Sequence, residues 1–316
     1  MKNFTKLGDV SNIQEWLQQA KEIKKNPFSH KAFGTDKTLG LVFFNPSLRT
    51  RMSTQKAAMN LGMNTMVMNI SNDGWAIELE DGTVMNEGSQ EHIKEAAGVL
   101  SQYCDIIGIR TFASLSNQLE DYQEKILSKF IQYALVPVVS LESAIRHPLQ
   151  SFADLITIEE QKNTARPKVV LSWAPHPKPL PQAVANSFVE WVKETDADLV
   201  IANPEGFDLS EEFTEGVFVM HDQDEAFKGA DFIYAKNWSS FSAYGKTTEA
   251  HNDWIITEKK MALTKNAKFM HCLPVRRNVV VSDEVIDGAN SLVLEQANNR
   301  TYAAQTVILK FLKNEN

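Results

Sequence analysis

Three short segments of the chain carry residue types that can hold an anion and polarise a carbonyl. Ser47-Leu48-Arg49-Thr50-Arg51 follows an apolar run and opens a stretch of helical composition. Backbone N–H groups, hydroxyls and guanidinium groups can there converge on one phosphate without a glycine-rich loop. The same composition also describes a solvated basic surface, and the segment alone leaves both readings open. His147-Pro148-Leu149-Gln150 places an imidazole and a carboxamide three residues apart at the mouth of another helix, able to face one ligand. A lone histidine is equally a satisfied polar residue. His271-Cys272-Leu273-Pro274, followed by Arg276 and Arg277, puts a thiol, backbone carbonyls and cations in one turn.

These segments need elements to position them, and the chain supplies short β-branched runs alternating with helix-period stretches. The runs are 39–44, 64–70, 105–110, 136–141, 168–173, 198–202, 231–236 and 268–273, a pattern that predicts an α/β fold of parallel sheets flanked by helices. Ligands of such sheets gather outside the carboxyl ends of the strands. The positions directly after the runs include Asn45 to Arg51, Arg110, Glu142 to Gln150, His176, Lys236 and Cys272 to Arg277. With 316 residues, two domains are expected. They are 1–147 and 148–297, with a C-terminal helix, 298–316, packing back on the first. The stretch 174–182, APHPKPLPQ, has alternate prolines that stiffen it into an extended connector.

A net charge of -8 argues against a nucleic-acid or anionic-membrane partner, so an anionic ligand must be met locally. The N-terminal segment has neither a signal-peptide nor a transit-peptide pattern, and no apolar run nears the roughly 20 residues that span a bilayer. A cytoplasmic location is expected. Two cysteines, Cys104 and Cys272, make neither a disulfide framework nor a zinc site. No G-x-G-x-x-G follows an early strand, which excludes a dinucleotide-dependent oxidoreductase.

Taken in order, S-x-R-T-R, an arginine at a strand end, H-P-x-Q and H-C-L-P resemble the aspartate/ornithine carbamoyltransferase family over essentially the whole chain. The resemblance implies that Ser47, the Leu48 backbone, Arg49 and Thr50 hold the phosphate of carbamoyl phosphate. It implies that Arg110, His147 and Gln150 address the carbamoyl end, with Arg300 completing that pocket. Cys272 and the Leu273 carbonyl would orient the attacking amine. No metal or other cofactor is implied. The second domain would carry a knotted crossover through the proline-rich connector.

Ornithine-using members carry an Asp and a Ser-Met-Gly turn after the strand that here ends in Lys236-Asn237-Trp238, and no Ser-Met-Gly follows. A lysine cannot attract the free α-ammonium group, so an acceptor with that amine acylated is expected. The stretches 173–187 and 271–278 are similar to the N-acetyl- and N-succinylornithine branches. In these, the equivalents of Lys236 and Arg276 grip carboxylates of the acylornithine. Phe112, Glu142, His176 and Pro274 would line the same pocket. Trp75, on a loop that in the family reaches an adjacent subunit, implies a homotrimer with shared sites touching both substrates. At Gln90 acetyl-using relatives place Glu and succinyl-using relatives Pro. Gln90 removes the repulsion a carboxylate would exert on a succinyl group, so N-succinyl-L-ornithine is the expected acceptor, with N-acetyl-L-ornithine as the alternative. Aspartate transfer and a non-catalytic carbamoyl phosphate-binding relative are the nearest rivals. The second predicts damage to the reactive set, yet Arg49, Thr50, Arg110, His147, Gln150 and Cys272 are all present.

Overall fold

The computed structural model describes residues 1–246 and 251–314; the side chains of Ser71 and Asn72 are not described. Glu315 and Asn316, at the end of the expected C-terminal segment, lie outside the described residues. The chain divides into two compact units. The first takes Met1–Ser114, Leu119–Leu149 and the chain from Arg300 onward; the second takes Leu115–Gln118 and Gln150–Asn299.

The strands, in chain order, are β1 (Thr38–Phe43), β2 (Asn64–Asn69), β3 (Ile77–Glu78), β4 (Glu91–His92), β5 (Ile106–Arg110), β6 (Val138–Glu142), β7 (Lys168–Trp173), β8 (Asp198–Ala202), β9 (Phe218–Met220), β10 (Phe232–Lys236) and β11 (Lys268–Met270). Each of the eight apolar runs became a strand. The first unit holds a sheet in the order β2-β1-β5-β6 and the second a sheet in the order β11-β10-β7-β8-β9, with all pairs parallel. The central strands β1, β5, β7 and β10 are buried almost throughout. Helices cover both faces of such sheets, which is why these strands read as continuous apolar runs and not as alternating ones.

In the first unit, helices Ile93–Tyr103 and Lys125–Tyr133 lay Ile93, Ala97, Leu127 and Phe130 against Val42, Ile107 and Ile109 of the sheet. Cys104 belongs to this core. A Cβ at Gly40 would meet the Cys104 sulfur at 2.6 Å, so the glycine makes room for the thiol. Burial, and then the neighbouring Asp105 carboxylate, push that thiol's pKa up and leave it unreactive. In the second unit, helix Ala183–Val192 is buried on nearly every side, in keeping with its apolar composition all round.

Strand order sets where ligands can go. From β1 the chain moves to β2 on one side and then to β5 on the other. From β7 it moves to β8 and β9 on one side and then to β10 and β11 on the other. The loops after β1 and β5, and those after β7 and β10, therefore part at a switch point and leave a crevice at the carboxyl edge of each sheet. No described helix is long and apolar enough to cross a membrane.

Helix Val293–Leu312 is held to the first unit by a wholly buried amide. Gln305 accepts from Asn60 Nδ2 at 2.9 Å and donates to the Pro27 carbonyl at 2.6 Å. Gln305→Ala strands both partners and is expected to destabilise the fold by about 2–4 kcal/mol. A urea-unfolding midpoint equal to that of the unsubstituted protein would show that the clamp contributes nothing.

Candidate active site

Arg110 ends β5, and only 6% of it is exposed. The register between β5 and β6 shifts by one residue at this point: Ile109 faces Ser140, but Arg110 faces Glu142. In a strand a one-residue slip reverses which face a side chain takes. The shift thus sets the guanidinium beside the Glu142 carboxylate, Nη2 to Oε2 at 2.9 Å. Nη1 donates to the carbonyls of Asn45 and Pro46, which ties Arg110 to the loop after β1. The guanidinium also stacks over the Phe112 ring, 4.2 Å from its centroid.

Glu142 reaches a second cation-capable group. His147 Nε2 lies 3.6 Å from Oε2. The imidazole is placed by a tight turn in which Ser143 N–H donates to the Arg146 carbonyl at 2.7 Å, and by Pro148 opening helix Pro148–Gln161. On its other side, Arg300 Nη1 approaches His147 Nε2 at 3.5 Å, and Arg300 Nη2 donates to Thr50 Oγ1 at 2.7 Å. Thr50 sits in the first turn of helix Arg49–Asn60, whose N-cap Leu48 supplies no side-chain acceptor for the first N–H groups. Ser47 and Arg49 flank it, both half-buried. A hydroxyl that accepts from Arg300 keeps its own proton to donate. The first unit therefore links Thr50, Arg300, His147, Glu142 and Arg110 in one chain of contacts at the carboxyl end of β1, β5 and β6. The arrangement offers guanidinium and hydroxyl donors and helix N–H groups to an anion with a carbonyl attached.

Arg51, at the end of the phosphate-like segment, does something else. Its guanidinium stacks on Phe43 at 4.8 Å and donates to Asn69, which braces the loop. Trp75 and Gln90 form a separate exposed group. The Trp75 indole donates to Glu91 Oε2 at 2.8 Å, and Gln90 N–H donates to the Ala76 carbonyl beside the β3–β4 pair.

In the second unit, His176 follows β7 and Lys236 ends β10, the strands that flank its switch point. Arg276 Nε donates to His176 Nε2 at 3.1 Å, so that nitrogen is an acceptor, while Nδ1 lies 2.8 Å from the Lys178 carbonyl and 3.2 Å from the Lys178 N–H. Burial, followed by the charges of Lys236, Arg276 and Lys178, lowers the His176 pKa. The neutral imidazole orients two nearby cations without adding to their repulsion. A cavity of about 710 Å³ opens here, lined by Trp173, His176, His251, Asn252, Arg276 and Val279 among others. Arg277 is held by Asp283 and Asp287 at 2.6–2.8 Å and serves the turn.

Cys272 is half-buried, and Leu273 takes a left-handed φ of 53° before the cis bond to Pro274. That conformation costs a leucine about 1–3 kcal/mol, and its N–H is held by His271 Nδ1 at 2.8 Å. Gln150, wholly buried, donates to Asp154 at 2.7 Å.

Sequence reading placed Glu142 and Phe112 with His176 and Lys236. Within the first unit both also touch Arg110, Glu142 because the register shift at Ile109 turns it towards the guanidinium and Phe112 by stacking on it. The structure also brings in residues that sequence reading passed over: Asp154, Tyr234 and Gln296 around the Cys272 turn, and His251 in the cavity. Asp154 and Tyr234 stand inside apolar helix and strand patterns that read as core, and Gln296 stands in the polar stretch 295–300 of its helix.

As pH falls, His176 should stay neutral below the usual imidazole midpoint of about 6.5. The stability from its neutral form is fully present above that pH and is lost as pH falls through the lowered value. An NMR titration checks this: a midpoint at or above 6.5 would contradict the geometry. Arg276→Ala should raise the midpoint only slightly, since burial is the larger cause.

Residues 2–160 match the family model of the aspartate/ornithine carbamoyltransferase carbamoyl-P binding domain, and residues 181–311 match that of the Asp/Orn binding domain. The N-succinylornithine carbamoyltransferase of Bacteroides thetaiotaomicron is 54% identical over 99% of this chain and 98% of its own length. The N-acetylornithine carbamoyltransferase of Xylella fastidiosa is 37% identical over 98% of each. A crystal structure of an N-acetyl-L-ornithine transcarbamylase mutant, complexed with carbamyl phosphate and N-succinyl-L-norvaline, superposes with a TM-score of 0.93 at 35% identity, covering 98% of this chain and 99% of that one. Two matched domain models and whole-length relatives agree with the strand-end chemistry: the chain belongs to the aspartate/ornithine carbamoyltransferase family.

Proposed function

We propose that this chain transfers the carbamoyl group of carbamoyl phosphate to the δ-amine of N-succinyl-L-ornithine, giving N-succinyl-L-citrulline and phosphate. The observation that carries the reading is the contact chain Thr50–Arg300–His147–Glu142–Arg110, which assembles donors for a carbonyl oxygen next to a helix start suited to a phosphate. Ser47, the Leu48 N–H, Arg49 and Thr50 take the phosphate. Arg110, His147 and Gln150 take the carbamoyl end. In domain terms, 1–147 with the returning segment 298–316 binds carbamoyl phosphate, and 148–297 binds the acylornithine.

The δ-amine attacks the carbonyl carbon, and the negative charge that develops on oxygen is met by Arg110, His147 and the Thr50 hydroxyl. The C–O bond to phosphate then breaks, Arg49 stabilises the departing dianion, and the amine's proton leaves with phosphate. Cys272 and the Leu273 carbonyl hold the amine in line. Holding both reactants in line replaces a bimolecular encounter by a bound one.

Acyl specificity rests on the second unit and on Gln90. Lys236, Arg276 and neutral His176, beside a cavity of about 710 Å³, suit carboxylates and offer nothing to a free α-ammonium group. Gln90 is uncharged where a carboxylate would repel a succinyl tail, and identity is greater to the succinylornithine relative than to the acetylornithine one. The assembly we infer is a cytoplasmic homotrimer in which Trp75 serves a neighbouring subunit's site. In support, Met52 and Met59, two turns apart on one helix, Met66 on the edge strand β2, and Trp75 are each more than half exposed.

The direct experiment is citrulline-type product formation with ornithine, N-acetylornithine and N-succinylornithine offered separately. Turnover is expected mainly with the succinyl substrate. Preference for ornithine would overturn the acyl reading, and turnover of none would overturn the reaction. Arg49→Ala should raise the carbamoyl phosphate KM by roughly 10- to 100-fold, as the loss of a charge-assisted hydrogen bond does. Gln90→Glu should shift kcat/KM from succinyl towards acetyl substrate, and an unchanged ratio would show that position 90 does not set the choice.

A further inference from the structure

Asp154 has no exposed surface and stands among Phe152, Ala153, Leu155 and Ile156 in helix Pro148–Gln161. An apolar side chain of similar size would cost less there, since a buried carboxylate is tolerated only when neighbouring donors satisfy it. Three sets of groups surround it, and each leads to a residue of the proposed site. Gln150 Nε2 donates to Oδ1 at 2.7 Å. Gln296 Nε2 donates to the same oxygen at 2.7 Å, while its Oε1 accepts the His271 N–H at 2.9 Å, and His271 in turn accepts the Leu273 N–H. The Tyr234 hydroxyl, wholly buried at the middle of β10, adjoins both Asp154 and Cys272; burial first, and these neighbours second, push its pKa well up and keep its proton in place.

A carboxamide has one donating and one accepting end. With the donating end of Gln150 held on Asp154, the accepting end is committed to the other direction, the polarity that a carbamoyl NH2 group requires. We propose that Asp154 is a positioning residue: through Gln150 it sets the polarity of the carbamoyl-binding amide, and through Gln296–His271 and Tyr234 it seats the Cys272–Leu273 turn. This rests on the transfer reaction proposed above.

The test is a double-mutant cycle on the full chain. In Asp154→Asn the shape is kept, but a donor stands where only oxygens stood, and Gln150 is no longer pinned one way round. The carbamoyl phosphate KM should rise about tenfold or more. In a Gln150→Ala background the same substitution should change that KM less than threefold, because its route of action is gone. Tyr234→Phe, which removes one interior oxygen, should lower kcat several-fold and leave the carbamoyl phosphate KM within about twofold. Effects of Asp154→Asn that multiply independently with those of Gln150→Ala, or that appear in thermal stability alone, would overturn the assignment. If Asp154→Asn does not fold, Tyr234→Phe decides, and a wild-type kcat would overturn the proposal. Calorimetric titration with carbamoyl phosphate separates this from failure of the reaction itself. A wild-type protein that turns over no acceptor but binds carbamoyl phosphate still reads the Gln150 arm. One that binds none removes the transfer reaction and the positioning role together.

Discussion

A guanidinium drawn out of water at the end of β5 must be compensated by a carboxylate, and the first unit is arranged around that demand. Arg110 and Glu142 have side chains only 8% and 10% exposed and meet at 2.9 Å. Buried pairs of this kind add little net stability, because desolvating two charges offsets most of their attraction, but removing one partner costs about 3–5 kcal/mol. The pair therefore makes sense as a fixed cation at a chosen place. The register shift between β5 and β6 exists where Arg110 needs Glu142 opposite it, and the loop after β1 accepts the other guanidinium nitrogen. His147 and, through it, Arg300 and Thr50 take their positions from the same carboxylate.

The second unit meets its requirements with mostly neutral groups. His176 accepts from Arg276 because it is unprotonated, and Asp154 takes two amide hydrogen bonds on one oxygen and is flanked by a phenol. Neutral donors hold their partners in one orientation without bringing a second charge into the interior. Lys178, Lys236 and Arg276 stand near His176 as cations, and Arg277 of the cavity wall is held by Asp283 and Asp287, a setting matched to a ligand whose carboxylates outnumber its amines.

How much of this the sequence disclosed follows from what each residue does. Eight strands were legible because apolar, β-branched runs mark them. The two-residue strands β3 and β4 are too short to carry a pattern, and β9, three residues at a sheet edge, was passed over. Arg110, His147, Lys236 and Cys272 were legible because they interrupt or follow such runs where ligands gather. Asp154 and Tyr234 were not, since a polar residue inside an apolar helix or strand looks like any satisfied core residue until its partners are seen, and Gln296 is one of several polar residues in its turn of helix. The pairing of Glu142 with Arg110 was not legible either: order along the chain says that it follows a strand, but only a one-residue shift in pairing says that it faces Arg110.

The position of Glu142 is thus the point at which the account is most exposed, and steady-state kinetics of Glu142→Gln with each substrate varied in turn tests it most directly. A carboxamide of the same shape leaves Arg110 without its counter-charge, so kcat/KM for carbamoyl phosphate should fall by roughly 100-fold or more while the KM for the acylornithine changes little. A rise confined to the acylornithine KM, with carbamoyl phosphate unaffected, would place Glu142 in the acceptor pocket and contradict the account.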